Sequence, residues 1–261
     1  MIEEDYRFIK FKVRALLNID LDSYKSVQMQ RRLDTYLLRS GQPNWPTFFR
    51  VIQEDPELLG KFRDYLTINV SSFFRDPEKF AFLRKNILPE LMRTRARLRV
   101  WSAGCSQGHE PYSLAILLAE LTGAYAEHYL LATDIDQSVL AFAQKGGPYT
   151  ADKLTHVDPA QLQRYFRPER GGQFVIDLIR RRVTFRYHNL LNDPFESDFD
   201  LIVCRNVVIY FEAETKNQLY RRFYEALRPG GIFFIGSTEV LPYNLNVNFD
   251  PVGISFYRRR P

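Results

Sequence analysis

The residues best suited to chemistry lie where a short apolar run ends in small side chains: Val100-Trp101-Ser102-Ala103-Gly104-Cys105-Ser106-Gln107-Gly108-His109-Glu110. Glycines at 104 and 108 permit a sharp backbone turn and a close approach to a ligand, as in a strand-to-helix loop. Such loops also hold dinucleotides or serve as plain structural turns, so the turn alone leaves these readings open. The next apolar run closes on Ala132-Thr133-Asp134-Ile135-Asp136, which puts the Asp134 carboxylate where an adenosine ribose would offer two hydroxyl protons. The phosphate-cradling lysine of a nucleotide-triphosphate loop is missing, so adenosine without a phosphate requirement fits better. Glu110 is either an anion facing a cationic ligand group or an acid favoured by a helix N-terminus. Cys105 and Cys204 have no metal-binding spacing and read as small packing residues with reduced thiols; no metal is expected.

These positions need a scaffold, and the hydrophobic pattern supplies one. From residue 97 onward LRVWSAG is a strand, EPYSLAILLAELTG a helix, HYLLATDID a strand and SVLAFAQKG a helix, a βαβα alternation. VTFRYHNL and FDLIVCRN read as further strands, KNQLYRRFYEALRPGG as an amphipathic helix with a glycine stop, and GIFFIGS and GISFYRR as closing strands. In front, residues 5 to about 65 repeat apolar residues at helical spacing, as in Phe8, Phe11, Val13 and Leu17 and in Met29, Leu33, Tyr36 and Leu37. The expectation is an α/β protein, a doubly wound, mostly parallel sheet behind a small N-terminal all-α domain. GGQFVIDLIRRRVTF suggests a strand pair inserted as a small β subdomain at about 155–184.

A chain of 261 residues with 45% hydrophobic and 26% charged residues suits a soluble globular protein of two units, without a long disordered tail. The opening MIEEDYRFIK lacks a basic run leading into an apolar one, so no secretory signal is expected, and no apolar stretch approaches the length of a membrane span. Cytoplasmic location follows. Net charge is +5 and is uneven: residues 1–99 carry 19 Lys and Arg against 13 Asp and Glu, the remainder 17 against 18. A positive front favours an acidic partner, which charge alone does not identify.

Six blocks carry a resemblance to a known family: LTINVSSFFRD (66–76), WSAGCSQGHEPYS (101–113), ATDID (132–136), HNLL (188–191), FDLIVCRNVVIYF (199–211) and GSTEV (236–240). In order and spacing they resemble the CheR chemotaxis methyltransferases over nearly the whole chain. The resemblance implies a seven-stranded S-adenosylmethionine-methyltransferase sheet, with a helical domain at 1–75 and the methyltransferase domain at 76–261. It implies transfer of a methyl group to glutamate side chains of chemoreceptors, giving methyl esters and S-adenosylhomocysteine. The cofactor would be gripped by residues matching Asn69, Ser71, Arg75, Gly104, Glu110, Asp134, Asn189, Leu190, Arg205 and Asn206, with Arg75 and Tyr210 beside the transferring methyl. Asn189 and Leu190 would give adenine a polar contact and an apolar wall, although spacing alone reads them as a strand end and a core leucine. Gln107 and His109 stand where the family usually has threonine and glutamate, and Ser71 where threonine is frequent. Gln107, which is larger, and His109, able to titrate near neutrality, are expected to alter cofactor affinity or its pH dependence, with binding itself preserved by Gly104, Gly108 and Glu110.

A carboxylate acceptor is already ionised at neutral pH, so no general base is required, and an array of catalytic histidines is not expected. Arg75 could orient the acceptor with its planar fork and Tyr210 with its phenol. The segment 24–39 reads as a helix carrying Lys25, Gln28, Arg31, Arg32 and Arg39, either a solvated face or, as the resemblance implies, the surface that meets the acidic helical bundle of a chemoreceptor. Arg180-Arg181-Arg182 is either a solvated hairpin or part of a docking subdomain. Two other functions compete. An RNA methyltransferase would carry an Asn/Asp-Pro-Pro-Tyr-like motif where this chain has Cys204-Arg205-Asn206-Val207, so no nucleic acid partner is expected. A regulatory module that holds the cofactor without turnover would tolerate the changes at Gln107 and His109. A monomer, recruited to receptor arrays without inserting into the membrane, is expected.

Overall fold

The computed structural model describes residues 1–67, 71–123, 126–242 and 245–260. The chain divides into two compact units, one of Met1–Asn69 with Ile209–Lys216, the other of Val70–Val208 with Asn217–Pro261.

The first unit is built from α1 (Glu3–Leu17), α2 (Ser26–Ser40), α3 (Trp45–Glu54) and α4 (Pro56–Thr67). Asn44 accepts a hydrogen bond from the Thr47 amide and Pro46 sits in the first turn of α3, a local sequence that favours a helix start. Tyr6, Ile9, Val13 and Leu17 recur every three or four residues and bury the inner face of α1. The apolar spacing predicts the helix but not its orientation. Phe11 is 70% exposed, because Ile9 and Val13 already fill the inward stripe. Trp45, Phe48, Phe49 and Phe62 make the aromatic centre of this unit, edge-to-face at 5.0–5.4 Å for three of the pairs.

The second unit runs α5 (Pro77–Phe82), α6 (Leu88–Thr94), β1 (Arg99–Ala103), α7 (His109–Thr122), β2 (Tyr129–Asp134), α8 (Gln137–Lys145), α9 (Pro159–Tyr165), β3 (Phe166–Glu169), β4 (Gly172–Val175), α10 (Asp177–Arg180), β5 (Val183–Tyr187) and β6 (Phe199–Cys204). It ends with α11 (Ala213–Ala226), whose first turn belongs to the first unit, β7 (Leu227–Ile235), β8 (Phe249–Gly253) and β9 (Phe256–Arg259). Seven strands form one sheet in the order β5-β2-β1-β6-β7-β9-β8. The first five are parallel and β9 and β8 close it antiparallel. β6 is buried along its full length, as expected of a parallel strand covered on both faces. The chain leaves β1 toward β2 on one side and returns to β6 on the other. The tips of β1 and β6 therefore flank the crevice where doubly wound sheets hold ligands.

Three details depart from the sequence expectation. α11 ends at Ala226 and Leu227 already enters β7, so the glycine pair lies inside the strand; Gly230, at φ +78°, provides its irregular start. β8 is an additional strand, whose single proline and edge position blur its alternation. The arginine run 180–182 lies at the end of α10 and the turn after it, where Arg180 pairs with Asp177 at 2.9 Å. It is separate from the hairpin β3–β4, whose register runs Phe166 to Val175 through Glu169 to Gly172.

Candidate active site

The loop after β1 is held against the tip of β2. The Gly104 and Cys105 amides both donate to the Thr133 carbonyl, at 2.8 and 2.9 Å. At Gly104, φ is +80° and a Cβ would stand 2.4 Å from Val207 Cγ2; at Gly108, φ is +88° and a Cβ would stand 2.9 Å from Ala143 Cβ. Both glycines are thus demanded by the protein's own packing as well as by backbone conformation. Asp134 closes β2 with its carboxylate accepting the Ser106 amide at 2.8 Å and the Asp136 amide at 3.0 Å. Burial pushes its pKa up to about 6, against the lowering effect of those amides. An ionised carboxylate has more acceptor positions than these two amides use. A vicinal diol fits the remainder.

Glu110, in the first turn of α7, is also enclosed. It accepts from the Ser102 hydroxyl at 2.7 Å and lies 3.5 Å from the Arg205 guanidinium. Burial raises its pKa, and Arg205 is the chief opposing influence. Arg205, with its side chain 3% exposed, also donates to the Arg75 carbonyl at 3.0 Å and to the Asp76 carboxylate, which takes a 2.9 Å bond from the Ser237 hydroxyl. Its guanidinium lies over the Phe234 and Phe80 rings. One cation therefore joins the tip of β6, the start of α7 and the loop bearing Arg75.

That loop is strained. Phe74 and Asp76, on either side of Arg75, have φ of 49° and 61°, as do Ser106 at 46° and Asn206 at 59° in the loops opposite. A bulky phenylalanine in this region is unusual, and such positions gather where a surrounding network over-determines the backbone. Here the Phe74 amide is held by Ser113 Oγ at 3.0 Å and the Asn206 amide by the buried Glu239 at 2.8 Å. Glu239, whose other oxygen takes the Gly236 amide at 3.1 Å, is a site residue that residue type and spacing do not reveal. Its GSTEV context was the available signal.

Asn189 and Leu190 follow β5 and are both buried. Asn189 Oδ1 accepts the Leu191 amide at 3.0 Å and its own amide donates to Asp193 at 2.8 Å, so the residue also shapes its loop. Ser71 is half-buried, and Asn69 lies outside the described residues. His109 corrects an expectation. It is fully buried between Phe73 and Tyr149, and burial drives its pKa down to about 3, so it is neutral throughout the physiological range. Gln107 contributes its carbonyl to the Tyr149 hydroxyl at 2.7 Å.

The remaining predicted residues belong to the first unit. Tyr210 accepts the Lys25 amide on its carbonyl at 3.0 Å. With Tyr24, Lys25, Gln28, Arg31 and Arg32 it lines a cavity of about 320 Å³. Arg32 points inward, donating to the Tyr65 carbonyl and stacking over the Tyr65 ring at 4.6 Å, while Arg31 is exposed. Arg39 sits in the last turn of α2, apart from that cavity.

A doubly wound sheet with a glycine-turned loop after β1 and a buried acid at the tip of β2 defines a nucleoside-binding α/β protein, here joined to a helical unit. Residues 69–257 match the CheR methyltransferase SAM binding domain and residues 4–67 the CheR methyltransferase all-alpha domain, so the chain belongs to the CheR methyltransferase family. It is a methyltransferase that uses S-adenosylmethionine. Among its relatives, a chemotaxis protein methyltransferase of Listeria monocytogenes is 41% identical over 241 residues, 91% of this chain and 90% of that protein. One from Listeria innocua is 39% identical over 91% of this chain and 90% of its own length. A probable chemotaxis protein methyltransferase of Rhizobium etli is 39% identical over 92% of this chain and 94% of its own.

Proposed function

We propose that this chain methylates glutamate side chains of chemoreceptors in the cytoplasm, forming methyl esters. The observation that carries the reading is the Glu110–Arg205–Asp76 network together with the buried Asp134 that closes β2, in a chain of the CheR methyltransferase family. Asp134 accepts the ribose hydroxyls. Glu110 and Arg205 form a paired anion and cation suited to the ammonium and carboxylate of a methionine portion, with Asn69, Ser71, Gly104 and Asn206 completing the cradle. Asn189 and Leu190 wall the adenine. S-adenosylmethionine, when bound, supplies an electrophilic methyl group on a sulfonium.

Arg75 and Tyr210 orient the acceptor. A glutamate has a reference pKa of about 4.3 and is already the nucleophile, so the protein's task is alignment and exclusion of water. That accords with His109 being neutral and buried, and with both cysteines having their pKa raised by burial. Lys25, Gln28, Arg31, Arg32 and Arg39 favour the approach of an acidic helical bundle. No described helix is long and apolar enough to cross a membrane.

The test is incubation with methyl-labelled S-adenosylmethionine and receptor-bearing membranes. Base-labile label in the receptor is expected; label in RNA, or none, would refute the reading. Arg75→Ala should lower transfer at least about a hundredfold with an unchanged circular dichroism spectrum, and near-wild-type turnover in that variant would contradict its assignment.

A further inference from the structure

The loop carrying Asn189 and Leu190 has no regular hydrogen-bond ladder of its own, yet its carbonyls still need donors. One side chain meets that need. Arg222, on the third turn of α11, donates to the carbonyls of Leu190, Leu191 and Asp193, the Leu191 bond at 3.2 Å, and lays its guanidinium 3.9 Å over the Phe195 ring. Phe195 in turn packs edge-on against Trp101 of β1 at 4.8 Å. The planar guanidinium has five donors in a fixed fork and can serve several acceptors at once, which an ammonium on a flexible stem does not reproduce. Inside the loop, Asn189 and Asp193 already use each other and the Leu191 amide. Arg222 therefore fixes the carbonyls of Leu190, Leu191 and Asp193 in a loop whose Asn189 end is tied to itself.

We propose that Arg222 is a positioning residue that sets cofactor affinity by clamping this loop in its adenine-facing conformation, without taking part in methyl transfer. The inference rests on the proposed reading of Asn189 and Leu190 as the adenine wall. Its effect belongs to binding, because the clamp lies on the adenine side while Arg75 orients the acceptor. Loss of the clamp lets the loop sample other conformations, and only the fraction in the competent one binds.

The experiment uses the full chain and the variants Arg222→Met and Arg222→Lys. Calorimetric titration with S-adenosylhomocysteine and with S-inosylhomocysteine, whose base lacks the exocyclic amine, is combined with methyl-transfer kinetics on receptor membranes. In both variants the Kd for S-adenosylhomocysteine and the KM for S-adenosylmethionine should rise at least about tenfold, with kcat at saturation within about twofold of wild type. Discrimination between the two bases should shrink, and lysine should not rescue it. A merely structural role would lower the melting temperature and the active fraction while leaving Kd and base discrimination intact.

Unchanged Kd in the lysine variant would overturn the proposal, as would a fall in kcat matching that in kcat/KM. If Arg222→Met does not fold, the lysine variant, which keeps the stem and charge, decides alone. Asn189→Ala separates the two levels. A large loss there beside unchanged Arg222 variants refutes the clamp only, whereas no binding by the wild type refutes the adenine reading itself.

Discussion

The cations of the cofactor crevice and most of those proposed to meet the receptor differ in how far they are tied down. In the sheet-bearing unit, Arg205 is enclosed, bridges Glu110 and Asp76 and lies on aromatic rings, and Arg222 is spent on three backbone carbonyls. In the helical unit, Arg31 and Arg39 are exposed and Lys25 lines a cavity, although Arg32 is turned onto Tyr65. Enclosed charges act at short range in a low dielectric and fix geometry, while exposed ones are screened and act on encounter. The difference separates a rigid ligand cradle from an adaptable recognition surface.

The sharpest way to break this comparison is Arg205→Ala. It leaves Glu110 and Asp76 without their shared cation, so the unit should lose about 3–5 kcal/mol of stability, read by chemical denaturation. A loss below about 1 kcal/mol would make Arg205 equivalent to a surface arginine.

Next comes His109. Its folded pKa of about 3 lies below the ordinary 6.5, so the folded state binds the proton less well than the unfolded one. Stability is complete above pH 6.5 and declines as pH falls toward 3. Between pH 7 and pH 5 His109 should by itself account for about 2 kcal/mol of lost stability, and His109→Phe should remove that portion of the slope. Coincident pH profiles for the two proteins would disprove the burial argument.

A third effect concerns the cofactor. Asp134, with its pKa raised to about 6, is ionised above that pH and protonated below it. A ribose acceptor must be ionised to take both hydroxyls, so the affinity for S-adenosylhomocysteine should fall about tenfold between pH 7 and pH 5, and Asp134→Asn should bind weakly with this dependence abolished. Calorimetric titration at the two pH values reads it directly.

The smallest effect belongs to the other unit. Charge reversal at Arg31 should lower kcat/KM for receptor by an amount equivalent to about 0.3–1 kcal/mol, diminishing as salt rises, with S-adenosylhomocysteine affinity unchanged. An altered cofactor affinity would erase the distinction between the units.

Much of the scaffold was legible beforehand because its signals are local. The runs ending at Ala103, Asp134 and Cys204 are apolar strands, and Gly108 and Gly146 mark a helix start and a helix end by positive φ. Local patterns failed where a neighbour decides. Phe11 has the right spacing but the wrong face, β8 at the sheet edge has no clean alternation, and Leu227 enters a strand despite following a helix without a break.

By itself the sequence determined the residue types at the crevice: the glycines, Glu110, Asp134 and the Cys204-Arg205-Asn206 run, each at a recognisable strand end or in the turn and helix start that follow it. Only tertiary structure decided their states. His109 is neutral because Phe73 and Tyr149 exclude water from it, Arg205 is a hub because Asp76 and Glu110 reach it from distant parts of the chain, and Arg222 holds the loop after β5 from 32 positions away at Leu190. Desolvation and long-range hydrogen bonding are properties of what surrounds a residue in space, and no local spacing encodes that surrounding.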